Sequence, residues 1–147
     1  MQLLSTCANA QLITGQRPIK DIPLTVKEAF DMRFSGYDPV WFTHFQGRYD
    51  NQQVYEGRFL FDQRYSTAVY TPDGDLIAFV ATVEYLEIPK AARDYMEMQF
   101  PGRPIIDAAL VTRGGSDVTY EIGIYLEDQY VIQVFTKDGE FIRSTKG

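Results

Sequence analysis

The chain says the same thing twice, and that repetition constrains its fold more than any other feature. Asp21–Gly36 (DIPLTVKEAFDMRFSG) aligns with Glu87–Gly102 (EIPKAARDYMEMQFPG): Ile22 with Ile88, Pro23 with Pro89, Met32 with Met98, Phe34 with Phe100, Gly36 with Gly102. Charge signs match at Asp21/Glu87, Lys27/Arg93, Glu28/Asp94 and Asp31/Glu97. A second block follows in each copy. Tyr55, Glu56, Tyr65, Val69, Thr71, Asp73, Gly74 and Ile77 recur as Tyr120, Glu121, Tyr130, Val134, Thr136, Asp138, Gly139 and Ile142. The offset changes by one residue between the blocks, which places a length difference in a loop. A tandem duplication implies two copies of one supersecondary unit packed side by side.

Each copy begins as a helix opened by a proline, which the first turn tolerates because its N–H has no helical partner. Val26, Phe30 and Phe34 form one apolar stripe at i, i+4, i+8, and Ala92, Met96 and Phe100 form the other. Gly36 and Gly102 suit left-handed helix caps. Strands follow in both copies: residues 40–46, 55–61, 65–71 and 75–86, then 105–112, 118–126, 130–136 and a short last one. They are rich in β-branched and aromatic residues, and Asp73-Gly74 and Asp138-Gly139 signal hairpins. No Pro/Gly/Ser linker separates the copies: Tyr85-Leu86-Glu87-Ile88-Pro89 runs from strand to helix. The expected organisation is a leader over residues 1–20, a first repeat over 21–86 and a second over 87–147, in one structural domain. The fold class is α+β: two αβββ(β) repeats sharing one antiparallel sheet of about eight strands, both helices on one face.

This pattern of Pro-opened helix, Trp41, Tyr-Glu and Asp-Gly resembles the PepSY-like group of small secreted bacterial proteins. Their two-repeat architecture is similar to that of the β-lactamase-inhibitor proteins. The resemblance covers about Asp21 to Ile142 and implies a periplasmic or secreted protein that binds rather than catalyses. The disulfides and loop residues on which those inhibitors rely are not found in this chain. Ala8-Asn9-Ala10 has the A-x-A form of a signal-peptidase site, although no charged n-region precedes it. Leu4-Ser5-Thr6-Cys7 fits a lipobox poorly, because Thr stands before the cysteine.

Chemistry-bearing motifs are sparse. His44 is the only histidine and Cys7 the only cysteine, far apart in the chain. No Cys–His nucleophile pair, His-rich metal site or calcium loop follows from them. Gly114-Gly115-Ser116 is a glycine turn with no helix behind it to hold a phosphate. No cofactor is expected. A net charge of −6 gives no general attraction for nucleic acid. No apolar run approaches the ~20 residues of a membrane helix. With 147 residues, a core can form without a metal or disulfide staple.

Function then rests on surface. Eight strands at ~4.8 Å spacing span roughly 38 Å, more than two helices can cover on one face and nothing on the other. The helix side should take Tyr55, Phe59 and Phe61 with Ile122, Ile124 and Leu126. Glu56, Arg58, Leu60, Glu121, Gly123 and Tyr125 then face away. In the first strand, Val40 and Phe42 are expected inward with Ile106 and Ala108. Asp107, taken as the counterpart of Trp41, prefers water, which sends Trp41 and Phe45 to the open face. The expected binding residues are Trp41, Phe45, Arg58, Tyr65, Tyr125 and Tyr130, a Trp/Tyr/Arg set with hot-spot composition. The leading function is a non-catalytic exported binding protein, a protein inhibitor or cell-envelope interaction module, with a protein partner on the open face. The alternative is a small-ligand carrier, and the third class an enzyme.

Overall fold

The structure, a computed structural model, describes residues 17–46 and 52–147, the side chains of residues 45, 46 and 52 excepted. Helix α1 (Leu24–Arg33) leads to strands β1 (Val40–Gln46), β2 (Gln52–Phe61), β3 (Arg64–Tyr70) and β4 (Leu76–Thr82). A short 3-10 turn, Tyr85–Glu87, precedes α2 (Lys90–Gln99). Strands β5 (Asp107–Arg113), β6 (Asp117–Leu126), β7 (Gln129–Thr136) and β8 (Phe141–Lys146) complete the second copy. The eight strands form one antiparallel meander in chain order. This is the expected α+β fold of two repeats sharing a sheet. The fourth strand is shorter than its sequence implies, because the chain leaves β4 at Thr82 for the 3-10 turn.

Both helices sit on the same side of the sheet. Val26 and Phe30 of α1, with Phe34 at its C-cap, pack on Tyr55, Phe59, Ala68 and Tyr70. Ala92 and Met96 of α2 pack on Ala108, Ile122, Ile124 and Phe135. Pro23 and Pro89 stand just before their helices as N-caps, and their carbonyls accept the first helical N–H groups. The two Asp-Gly turns do more than reverse the chain. Gly74 has φ 89°, and a Cβ there would stand 2.6 Å from the Thr25 carbonyl oxygen. A Cβ at Gly139, φ 94°, would stand 2.9 Å from the Ala92 nitrogen. Each turn docks on its repeat's helix, so glycine is needed both for conformation and for close approach.

The register corrects one sequence expectation. Trp41 pairs with Gly57, and Ala108 pairs with Ile122. Since Gly57 and Ile122 are equivalent, Trp41 corresponds to Ala108, and Asp107 corresponds to Val40. Five positions separate Gly36 from Trp41 but six separate Gly102 from Ala108. The β1–β2 hairpin then reverses that difference and exceeds it, leaving a net change of one. A slip of one residue moves a strand's whole side-chain set to the other face. Trp41 therefore points toward α1, its ring 5.5 Å from Phe30. Val40 and Phe42 point away from the helices, contrary to expectation. Asp107 does face away from the helices, as its charge demands.

Candidate binding face

The face without helices carries two matching polar centres. In the Tyr-Glu signature the tyrosine goes to the helix side and the glutamate to this one. Glu56 and Glu121 are both buried here, although no helix covers them. Glu56 accepts a hydrogen bond from Arg58 Nη2 at 2.7 Å, and His44 Nε2 lies 3.5 Å from its other oxygen. The Arg58 guanidinium lies 3.9 Å from the centre of the Phe42 ring. In the second repeat Arg113 Nη2 donates to Glu121 at 2.9 Å. The arginine comes from β2 in one copy and from β5 in the other. The reason is visible at the position equivalent to Arg58, which is Gly123. A Cβ there would overlap the Tyr130 ring, which crosses the gap and donates a hydrogen bond to Asp107 Oδ1 at 2.8 Å.

The first pair is held in place rather than displayed, whereas the Arg113 side chain of the second is exposed. The Arg58 side chain is 11% exposed, and its Nε has no hydrogen-bond partner among the described residues. Withdrawing Arg58 would remove the main partner of a buried carboxylate, a loss of about 3–5 kcal/mol in comparable sites. Ala109, Val111, Ile132 and Val134 form a small apolar cluster on the same face, with Val80 and Tyr130 against it. Sequence alternation found the orientation of Glu56 and Glu121. It missed their burial, because the arginine partners lie on non-equivalent positions.

What this face does display sits at one end. Leu60 (56% exposed) and Tyr65 (68%) are directly opposite one another across β2 and β3. Their equivalents Tyr125 (46% exposed) and Tyr130 are opposite across β6 and β7, with ring centres 5.6 Å apart. Each pair abuts a two-residue turn, Asp62-Gln63 or Glu127-Asp128, with both residues at positive φ (50° and 63°, 49° and 67°). That is the geometry a right-twisted hairpin demands, taken up here without glycine. In an up-and-down meander both hairpins fall on the same edge of the sheet. Four strand spacings separate β2 from β6, ~19 Å measured along the sheet.

Of the six residues picked from sequence, Arg58, Tyr65, Tyr125 and Tyr130 are on the helix-free face. Trp41 is not: it is partly buried beneath α1, packed against the core of the first repeat. The Phe45 side chain lies outside the described residues, as do Cys7 and Ala8-Asn9-Ala10. Among the described residues no cluster of three metal-ligating side chains occurs. No helix among them is long and apolar enough to cross a membrane.

The class defined by these features is a two-repeat α+β protein with one open eight-stranded sheet. No family model matches the chain, and no curated protein does. Solved structures share its fold. A candidate periplasmic protein of Bacteroides eggerthii is 16% identical with a TM-score of 0.70, covering 86% of this chain and 90% of its own. A DUF2874-family protein of Bacteroides ovatus is 10% identical with a TM-score of 0.71, over 87% and 89%. A BLIP-like protein of Bacteroides fragilis is 10% identical with a TM-score of 0.65, over 87% and 88%. The fold is the BLIP-like one that the sequence resemblance implies.

Proposed function

We propose that the protein is an exported, non-catalytic binding protein that docks a protein partner at the hairpin end of its helix-free face. Tyr65 with Leu60 and Tyr125 with Tyr130 are the contact groups. One observation carries this reading: both repeats set an apolar or aromatic pair at the same place, with Leu60, Tyr65 and Tyr125 exposed and Tyr130 half-buried, each pair beside a turn of two left-handed, non-glycine residues. Single exposed apolar side chains are ordinary, but apolar groups set side by side on a surface mark contact sites. Strained backbone of this kind concentrates where function holds it. Arg58 is withdrawn from the contact set by its pairing with Glu56, and Trp41 by its place under α1. The export half draws on the Ala8-Asn9-Ala10 pattern and on the periplasmic naming of the Bacteroides eggerthii protein of the same fold. The non-catalytic half draws on the sequence, which carries no nucleophile–base pair.

The test is affinity capture from the envelope fraction of the native organism, comparing the natural chain with a Tyr65→Ala/Tyr125→Ala double variant. A stoichiometric partner should be held by the natural chain and lost by the variant, with affinity falling by on the order of 2 kcal/mol or more. Both side chains are exposed, so the variant should fold normally. A partner held equally by both proteins would sink the proposal.

A further inference from the structure

The middle of the helix-free face is sealed, yet no helix or strand among the described residues lies over it. Ala109 and Val111 on β5 have no exposed surface, and Val134 on β7 keeps 1%. Val54 on β2, Val69 on β3 and Ile132 on β7 are buried as well. The register puts all of these side chains on the face of Glu56 and Glu121. Side chains stand roughly perpendicular to a sheet, so a bare face leaves their tips in water. Here burial is as complete as that of Ile122 and Ile124, which lie under α2. The patch runs from β2 to β7, five strand spacings or ~24 Å. That is wider than the side chains of Arg58, Arg113 and Tyr130 can roof. Three buried polar atoms on this face, Arg58 Nε, Thr67 Oγ1 and Thr119 Oγ1, have no hydrogen-bond partner among the described residues. Polar groups shut off from water are costly without a partner.

We infer that this sealed patch is a docking surface for an uncharged, leucine-bearing polypeptide stretch, and that its occupant is the chain's own leader, residues 1–16. The burial belongs to a single chain, so neither a second copy nor a partner supplies it. Beyond the described residues there are residues 1–16 and 47–51. The loop 47–51 is anchored at both ends, on β1 and β2, and reaches no more than ~10 Å from them. Val111 and Val134 lie three and five strand spacings past β2, ~14 and ~24 Å. The leader has the starting point and the length. Ile19 N donates to the Trp41 carbonyl at 2.9 Å, so the chain arrives along the outer edge of β1. Sixteen extended residues span up to ~53 Å, against ~29 Å from β1 to β7. Composition suits the place too. Residues 1–16 contain no Asp, Glu, Lys, Arg or His, and all 14 Lys and Arg and all 20 Asp and Glu follow them. A charged segment would lose its hydration over these valines. This one brings Leu3, Leu4, Leu12 and Ile13 for the apolar patch, and its carbonyl groups are acceptors for Arg58, Thr67 and Thr119. The inference does not rest on the function proposed above, because Leu60, Tyr65 and Tyr125 are exposed at the rim, beyond the sealed patch.

Methyl relaxation by a soluble nitroxide tests the cover in the full chain. The methyls of Val111, Ile132 and Val134 should be as well protected as those of Ile122 and Ile124 under α2. A Leu4→Asp/Leu12→Asp chain, which puts charge into the leader, should raise the relaxation of the first set at least fivefold and leave the second set unchanged. A second measurement needs no substitution. A nitroxide attached to Cys7 should broaden Val111 and Val134 more than Ile122 and Ile124, and only within one chain. Spin-labelled protein mixed with isotope-enriched, unlabelled protein should broaden nothing. Free access of the soluble nitroxide to Val111 in the natural chain would overturn the inference, as would protection that survives both aspartates. Broadening in the mixture would overturn it in favour of a second copy. If the aspartate variant loses its helix-side protection too, it has unfolded, and the Cys7 measurement decides: broadening at Val111 and Val134 upholds the leader as the cover, and none there removes it.

Discussion

The helix-side layers of the two repeats share a backbone and differ in what fills it. The first is packed with rings: Phe34 lies 4.9 Å from Phe59, 5.3 Å from Phe61 and 5.4 Å from Phe79. The second is packed with Met96, Ile122, Ile124 and Phe135. Its ring contacts move outward, to Tyr95 stacked on Phe141 at 4.7 Å. The helix-free side repeats the lesson with charge, since Glu56 and Glu121 are equivalent while their arginines are not. Duplication preserved the strand register and the docking of the Asp-Gly turns on the helices. It left packing free to drift wherever a neighbouring substitution could compensate.

The largest expected effect separates two phenylalanines that the repeat makes equivalent. Both stand at helix ends, and each donates its N–H to the residue four back, Phe30 or Met96. Phe34→Ala should lose about 3–5 kcal/mol, as buried rings do. Phe100→Ala, partly exposed at the end of α2, should lose less, about 2–3 kcal/mol, in proportion to what it buries. Urea unfolding of the two variants measures the gap. Equal losses would break the contrast between the two helix ends.

Most of the architecture was legible in the sequence. The repeat set two units, the 3.6-residue stripes set the helices, and alternation in Tyr55–Phe61 and Ile122–Leu126 set the faces of β2 and β6. Asp107 was rightly sent away from the helices on its charge alone. The error lay in carrying that reading to Trp41. A one-residue insertion before the first strand and a larger opposite change after it look, from the conserved blocks, like one small loop difference. Only pairing shows the true partner of Trp41. A volume signal was nevertheless present: Trp41 with Gly57 in one copy, Ala108 with Ile122 in the other, is a large–small exchange that fits facing neighbours. The burial of Glu56 and Glu121 was not legible, since their arginine partners come from different strands in the two repeats.

That exchange gives the next effect. Gly57→Ile alone should clash with the Trp41 ring, whose nearest atoms stand 3.1 Å from where the new Cβ would be. Overpacking of this kind typically loses roughly 1–3 kcal/mol. Trp41→Ala alone should also destabilise, by loss of its contact with Phe30 and the rest of the layer. Combined, the two substitutions rebuild in the first repeat the pair found in the second. The double variant should be more stable than the sum of the single losses implies, with a coupling of about 1–3 kcal/mol. A double-mutant cycle by urea unfolding reads this directly. Strict additivity would show that Trp41 and Gly57 do not compensate one another, and the large–small account would fall.

The smallest effect concerns the tyrosine that the second repeat has already replaced. Tyr70 and Phe135 are equivalent and both fully buried. The Tyr70 hydroxyl has no hydrogen-bond partner among the described residues. A buried hydroxyl left unpaired destabilises, so Tyr70→Phe should gain about 1 kcal/mol at neutral pH. Burial also pushes the Tyr70 pKa up to about 12 from its usual 10.0, with Arg33 pulling weakly the other way. The folded state then holds this proton more tightly than the unfolded chain does. The stability tied to it is complete below pH 10 and is lost as pH rises from 10 through 12. The natural chain should therefore fall further behind Tyr70→Phe across that interval, by on the order of 2 kcal/mol. Urea midpoints of both proteins at pH 7, 10 and 11 measure it. A constant difference between them at all three values would mean that the hydroxyl is hydrogen-bonded or hydrated in solution, and that the two repeats are alike at this position.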